Sequence, residues 1–170
     1  KEPLHRTGDF EKQYETLFAG QHALIKDVQF SESWQARMEA CQHRVLKIDG
    51  VQGGGLKHVL RHLSLAPQRF ESFADPRRKY ICCLVAIAMM LAQLSADGRQ
   101  KPEARARAAR ALEAMTAKHV MQEGVCADFG EVCLRFLRRF DVVDRDPARA
   151  SAALEGLVKA LETLFVDGYI

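Results

Sequence analysis

No stretch of this chain alternates apolar and polar residues long enough to build a half-buried strand, so sheet architectures are excluded at the outset. Proline and glycine are scarce, at 5 and 11 of 170 residues, and they fall mostly between periodic segments. The 5 cysteines (Cys41, Cys82, Cys83, Cys126 and Cys133) are odd in number and include no Cys-x-x-Cys. That pattern excludes a disulfide framework and paired zinc ligands, and it suits buried free thiols in an intracellular, reducing compartment. The longest apolar run, Tyr80 to Leu94, is about 15 residues broken only by Gln93, short of the ~20 that a membrane-spanning helix needs. It reads as a core helix. The chain opens at Lys1 with no secretory signal and is expected to be a processed product.

What is present is helical periodicity. Apolar residues make up 48% of the chain, enough for the core of one domain over 1–170. Phe10, Tyr14, Leu17 and Phe18 share one face of a helix running from Asp9 to Gly20. Leu24, Ile25 and Val28 mark a short segment, after which Ser31 or Ser33 caps a helix with the stripe Trp34, Met38, Cys41, Val45 and Ile48. Beyond a glycine-rich loop, Leu56, Val59, Leu60 and Leu63 predict another helix, and Phe70 and Phe73 a brief turn. Asp75-Pro76 predicts the start of a long apolar helix ending at Asp97-Gly98. Pro102 opens a helix to about Gln122, with Ala108, Leu112 and Met115 inward; Asp128 caps the next; and Asp146-Pro147 opens the last, with the stripe Ala150, Leu154, Leu157, Leu161 and Leu164. The expected fold is all-α: seven to eight helices in antiparallel hairpins over about 33–65, 76–122 and 128–166, as an irregular α-solenoid or a compact bundle.

Candidate chemistry is sparse. Gly50 and Gly55 bracket a loop like a phosphate cradle, but Leu56 stands where its lysine belongs, Lys57 is followed by His58, and no strand precedes it. His58 and His62 share a helical face and form a possible metal pair, yet Val59 occupies the position of a completing glutamate. His43 and His119 stand alone, and core or surface roles suffice for them. Cys82 and Cys83 lie where a thiolate is costly. No nucleophile, base and orienting group come together, so the expectation is no catalytic activity, no cofactor and no metal.

Charge is more informative. The net is +3, but Arg99, Lys101, Arg105, Arg107, Arg110 and Lys118 outnumber Glu103 and Glu113 in one segment, and Arg135, Arg138 and Arg139 form a second cluster. Such faces attract phosphates or acidic protein surfaces when they are more than solvated helix. Arg105, Arg107 and Arg110 are therefore candidate partner contacts. Tyr169 and Ile170, beyond a helix-breaking Gly168, are candidate docking anchors or else fold back on the core.

The helix Ile81-Cys-Cys-Leu-Val-Ala-Ile-Ala-Met-Met-Leu91, the turn at Gly98, the helix Ala-Arg-Ala-Leu-Glu-Ala-Met115 and the later Gly124 together resemble a helical-hairpin repeat of the pentatricopeptide kind. The match covers about a quarter of the chain and does not keep the family's period. In general character (processed, mildly basic, helical-hairpin) the chain is similar to the extra subunit on the F1 sector of euglenozoan mitochondrial ATP synthase. That resemblance implies a structural subunit without a catalytic site, attached to the outside of the α subunit on the matrix side. A pentatricopeptide-like RNA-binding protein, touching phosphates through the basic helix, is the alternative. A small-ligand or metal sensor is a third reading; the Ala96-Asp97-Gly98 turn followed by Glu103 is similar to tellurite-resistance-type helical domains.

Overall fold

Apolar periodicity of 3.6 residues must be buried by helix-on-helix packing, and that is what forms. The structure is a computed structural model that describes residues 8–48, 56–60, 63, 71–140 and 147–167. The helices are α1 (Gly8–Tyr14), α2 (Leu24–Phe30), α3 (Glu32–Lys47), α4 (Glu71–Cys82), α5 (Leu84–Ala96), α6 (Pro102–Ala114), α7 (Ala117–Phe140) and α8 (Pro147–Phe165), with a π-helical turn at Glu15–Ala19. No strand occurs among the described residues. The all-α expectation holds.

The core centres on α5. Ala86, Ile87, Met90, Leu91 and Leu94 are essentially inaccessible, and each large side chain there contributes about 1.5–3 kcal/mol by leaving water. The helix is flanked by α3 and α6. The α3 stripe Trp34, Met38, Cys41 and Val45 is buried as its spacing requires, whereas Ile48 is exposed at the helix end. From α6, Ala108 and Ala111 let the backbones approach closely. Leu17, Phe18, Leu24, Ile25 and Val28 close the near end of the core.

Four expected boundaries differ. The apolar run that reads as one helix is two, α4 and α5, bent by 73° around Cys83. A straight helix greasy on all sides would need neighbours all round; the bend instead sends α4 against α7 and α5 against α3 and α6. The first of these begins at Glu71, so Pro76 lies inside it rather than at its start. The helix expected over 102–122 stops at Ala114, and α7 starts at Ala117, where the Thr116 hydroxyl accepts the His119 backbone N–H at 3.2 Å as an N-cap. From there α7 runs straight through Gly124 and Asp128, which end and begin nothing. Within 76–122 the paired helices are α5 and α6, within 128–166 they are the later part of α7 and α8, and α4 packs on α7 instead of pairing with α6.

Nor is residue range 56–60 helical. The buried Gln42 side chain holds Leu60 by both backbone groups, its Nε2 donating to the Leu60 carbonyl at 3.0 Å and its Oε1 accepting the Leu60 N–H at 2.6 Å. A side chain that saturates the backbone in this way competes with helix formation. The expected turn at Phe70 and Phe73 falls partly outside the described residues; Phe73 belongs to α4.

The first helix changes pitch midway. After Tyr14 it widens into the π turn, closed by a Gly20 N–H to Glu15 carbonyl bond of 2.8 Å. A Cβ on Gly20 would stand 2.6 Å from the Glu15 oxygen, so only glycine permits this closure. Gly20→Ala is expected to lower stability by about 1–3 kcal/mol in urea denaturation; an unchanged midpoint would show the turn to be irrelevant.

Candidate functional site

Two features stand out once the core is set aside: a sealed polar cluster and an uncovered apolar face.

The cluster lies between α4 and α7. Arg77 is 3% exposed, and Glu123 and His119 are fully buried. Arg77 Nε meets Glu123 Oε2 at 2.7 Å, and His119 Nε2 stands 3.7 Å from Glu123 Oε1. His119 and Glu123 are four residues apart, so α7 presents both on the face it packs against α4. An aromatic ladder from the chain's beginning closes the opposite side. The Arg77 guanidinium lies 4.9 Å from the centre of the Tyr14 ring and 5.6 Å from that of Phe18, within cation–π range. Phe10 covers His119 at 5.5 Å, and Phe18 meets Tyr80 edge-on at 5.3 Å.

Burial sets the titration of this group. Desolvation raises the Glu123 carboxyl above its ordinary range, against the pull of Arg77. Desolvation, then Arg77, lowers the His119 imidazole. Desolvation and the Glu123 charge raise the Tyr80 hydroxyl. The 2.7 Å contact makes Arg77 and Glu123 an ion-pair geometry, and the lowered His119 favours its neutral ring. Neither His119 ring nitrogen nor the Tyr80 hydroxyl has a hydrogen-bond partner among the described residues. Among the described residues the cluster is a buried strut between α4 and α7. The thiols fit that picture, since burial raises those of Cys41, Cys126 and Cys133, and pushes Cys83 up to about 12.

The apolar face belongs to α7 and α8. The α7 side that carries His119, Glu123, Ala127 and Leu134 is buried, while the opposite side shows Met121 at 72% and Val125 at 51% exposure. Helix α8 lies along the later part of α7 and packs on no other element to a comparable extent. Phe165 touches Phe129 with ring centres 6.3 Å apart, so the exposed α7 stripe continues onto α8 through Leu154, Val158, Phe165 and Val166. No described residue of α8 is buried, not even the expected stripe: Ala150, Leu157, Leu161 and Leu164 are half-covered by α7, and Leu154 is 52% exposed. A groove of about 400 Å³ separates Val132 from Gly156, Lys159, Ala160, Thr163 and Leu164. Glu155 and Glu162 flank Val158 at helical spacing with Lys159 between them, all exposed, which leaves the edge with one net negative charge.

The residues singled out in the sequence are placed elsewhere. Arg107 pairs with Asp27 at 2.9 Å and ties α6 to α2; Arg105 Nε donates to the Ser95 carbonyl at 3.2 Å; Arg110 is exposed. The basic helix thus spends two of its three arginines on internal contacts. Arg135 bonds Glu131 at 2.6 Å. Asp97 pairs with Arg37 and accepts the Arg99 N–H at 3.0 Å, which holds its carboxyl below the usual range and pins the α5–α6 turn to α3. His58 is exposed and not helical, while His62, the Gly50–Gly55 loop, Tyr169 and Ile170 lie outside the described residues. No group of three metal-ligating side chains occurs among the described residues. His119, isolated in the sequence, is the residue that structure reassigns most. Its signal was the i, i+4 spacing to Glu123 on a face otherwise apolar.

Comparison with protein-family models, curated proteins and solved structures finds no match to this chain.

Proposed function

We propose that this chain is a non-catalytic helical subunit of a larger assembly, docked through the α7–α8 face onto an amphipathic helix of a partner protein whose apolar stripe is edged with lysine or arginine. The uncovered strip from Met121 and Val125 through Phe129 and Phe165 to Val158 carries this reading. Contiguous apolar surface of this kind marks interaction sites, and a groove between two helices takes an apolar helical face. Glu155 and Glu162 outnumber Lys159 beside Val158 and so favour a basic edge on the partner.

The specific candidate, supported by the resemblance in general character alone, is the α subunit of the F1 part of mitochondrial ATP synthase, with a matrix location as its corollary. RNA contact through α6 has less support, because Arg105 and Arg107 are engaged within the fold. Purification from the native source is expected to recover the chain with one partner at fixed stoichiometry, and Val125→Asp with Val158→Asp to weaken that association at least ~100-fold while stability moves by no more than about 0.5 kcal/mol. A monodisperse monomer from gentle extracts would defeat the reading. Self-association abolished by the same substitutions would replace the partner with a second copy, and retained binding at low salt to single-stranded RNA, lost on raising salt, would favour α6 instead.

A further inference from the structure

The Arg77–Glu123–His119 cluster plays no part in docking through α7 and α8, yet burying three ionisable groups is costly unless the arrangement is neutral. Glu123 from α7 and Arg77 from α4 act on His119, and the other described titratable groups at the cluster are Tyr80 and Cys126 beside Glu123 and Tyr14 beside Arg77. Phe10 and Phe18 complete the wall. A proton on His119 adds a positive charge to this buried cluster, which its desolvation and Arg77 disfavour, whereas burial raises the Glu123 carboxyl and so opposes opening through that group. Among the described residues neither His119 nitrogen is hydrogen-bonded, and Glu123 Oε1 stands beyond hydrogen-bond reach at 3.7 Å.

The wall is not equally strong on all sides. Helices α4 and α7 pack along their lengths. Helix α1, in contrast, has no buried residue. It is held by its Phe10 and Tyr14 rings and by a long 3.4 Å bond from Gln13 Nε2 to Thr116 Oγ1. A cleft of about 470 Å³ already separates it from the start of α7, lined by Lys12, Gln13, Lys118 and Gln122. Immediately after α1, Leu17 and Phe18 are fully buried, and the helix changes from α to π pitch. A loosely seated helix joined to a firmly anchored turn is a hinged element of low local stability.

We propose that α1 is an acid-released clasp: proton uptake by His119 lifts residues 8–14 about the π turn, admitting water to the cluster and presenting Phe10 and Tyr14 outside. The open form binds the proton at an ordinary imidazole affinity, whereas the closed form resists it, so acid drives opening. The lowered affinity of the closed form places release below the ordinary imidazole range.

Hydrogen exchange at about pH 7 and about pH 5, corrected for intrinsic rates, tests this directly on the intact chain. One-proton linkage from an ordinary value near 6.5 permits about a ten- to thirtyfold loss of protection in α1 over that interval, with α5 unchanged. His119→Gln should abolish the loss. His119→Phe, equally unable to bind a proton, should abolish it too and stands in if His119→Gln does not fold. Equal α1 protection at both pH values in the wild type overturns the clasp. So does a parallel loss in α5, which would be global unfolding, or acid release that persists in the substituted proteins.

Discussion

Arg77→Met lowers stability by about 3–5 kcal/mol at neutral pH, and the loss shrinks as the pH falls. The substitution keeps an unbranched chain between α4 and the Tyr14 and Phe18 rings but strips Glu123 of the guanidinium 2.7 Å away. A fully buried carboxylate without its counter-charge has a single remedy, which is to bind a proton. Glu123 already lies above its ordinary range with Arg77 present, because burial outweighs the pairing; without Arg77 it rises further. A folded-state value raised above the unfolded one gives stability that is complete below the unfolded value and lost as pH rises through the folded one. Variant and wild type should therefore converge toward acid and diverge toward neutrality. Urea denaturation across this interval measures the difference. A penalty under 1 kcal/mol, or one independent of pH, would show that Arg77 and Glu123 are solvated in solution.

Phe18→Ala is expected to cost about 3–5 kcal/mol. Phe18 is fully buried and touches three elements of the argument at once: Tyr14 at 5.6 Å, Tyr80 at 5.3 Å and the Arg77 guanidinium at 5.6 Å. Removing the ring opens a cavity that the π turn cannot fill, because Leu17 beside it is already packed. The two substitutions share a partner, so their effects should not add; in the double variant the combined loss falls short of the sum. Strict additivity would mean that the ring and the guanidinium do not interact.

These two residues also show where sequence pattern stops being informative. The stripes of α3 and α5 were legible because burial there follows from spacing alone: Trp34, Met38, Cys41 and Val45 face inward at the expected positions, and Ile87, Leu91 and Leu94 line the centre. Phe18 was visible for the same reason. The bend at Cys83 was not, since the residues on both sides are apolar in every direction and carry no Gly or Pro to mark a break; only the demand for two sets of neighbours fixes it. The end of α6 was hidden for a related reason. Thr116 is an ordinary residue until its hydroxyl finds the His119 N–H, while Gly124 looks like a stop that α7 ignores.

The candidate site was harder still. A run of arginines on α6 reads as an exterior patch, yet Asp27 and the Ser95 carbonyl, far away in sequence, claim Arg107 and Arg105. Arg77 follows Asp75-Pro76 and looks like a solvated residue of a first turn; the fold extends that helix back to Glu71 and turns the side chain onto Glu123. In α8 the opposite error arises. Its stripe promises a core, and among the described elements only α7 packs closely on it, so the flank of Leu154 and Val158 stays exposed. That shortfall in covering is a tertiary fact, invisible to periodicity, and it is what the proposed function rests on.

The most direct test places a photoreactive side chain at Met121, at Val158 or at Arg110, all exposed, and maps the adducts formed in the native assembly. The expected result is crosslinks from Met121 and Val158 to a single helix of one partner, and none from Arg110. Adducts from Arg110 alone, with Met121 and Val158 reacting only with solvent, would contradict the assignment of work to the α7–α8 face.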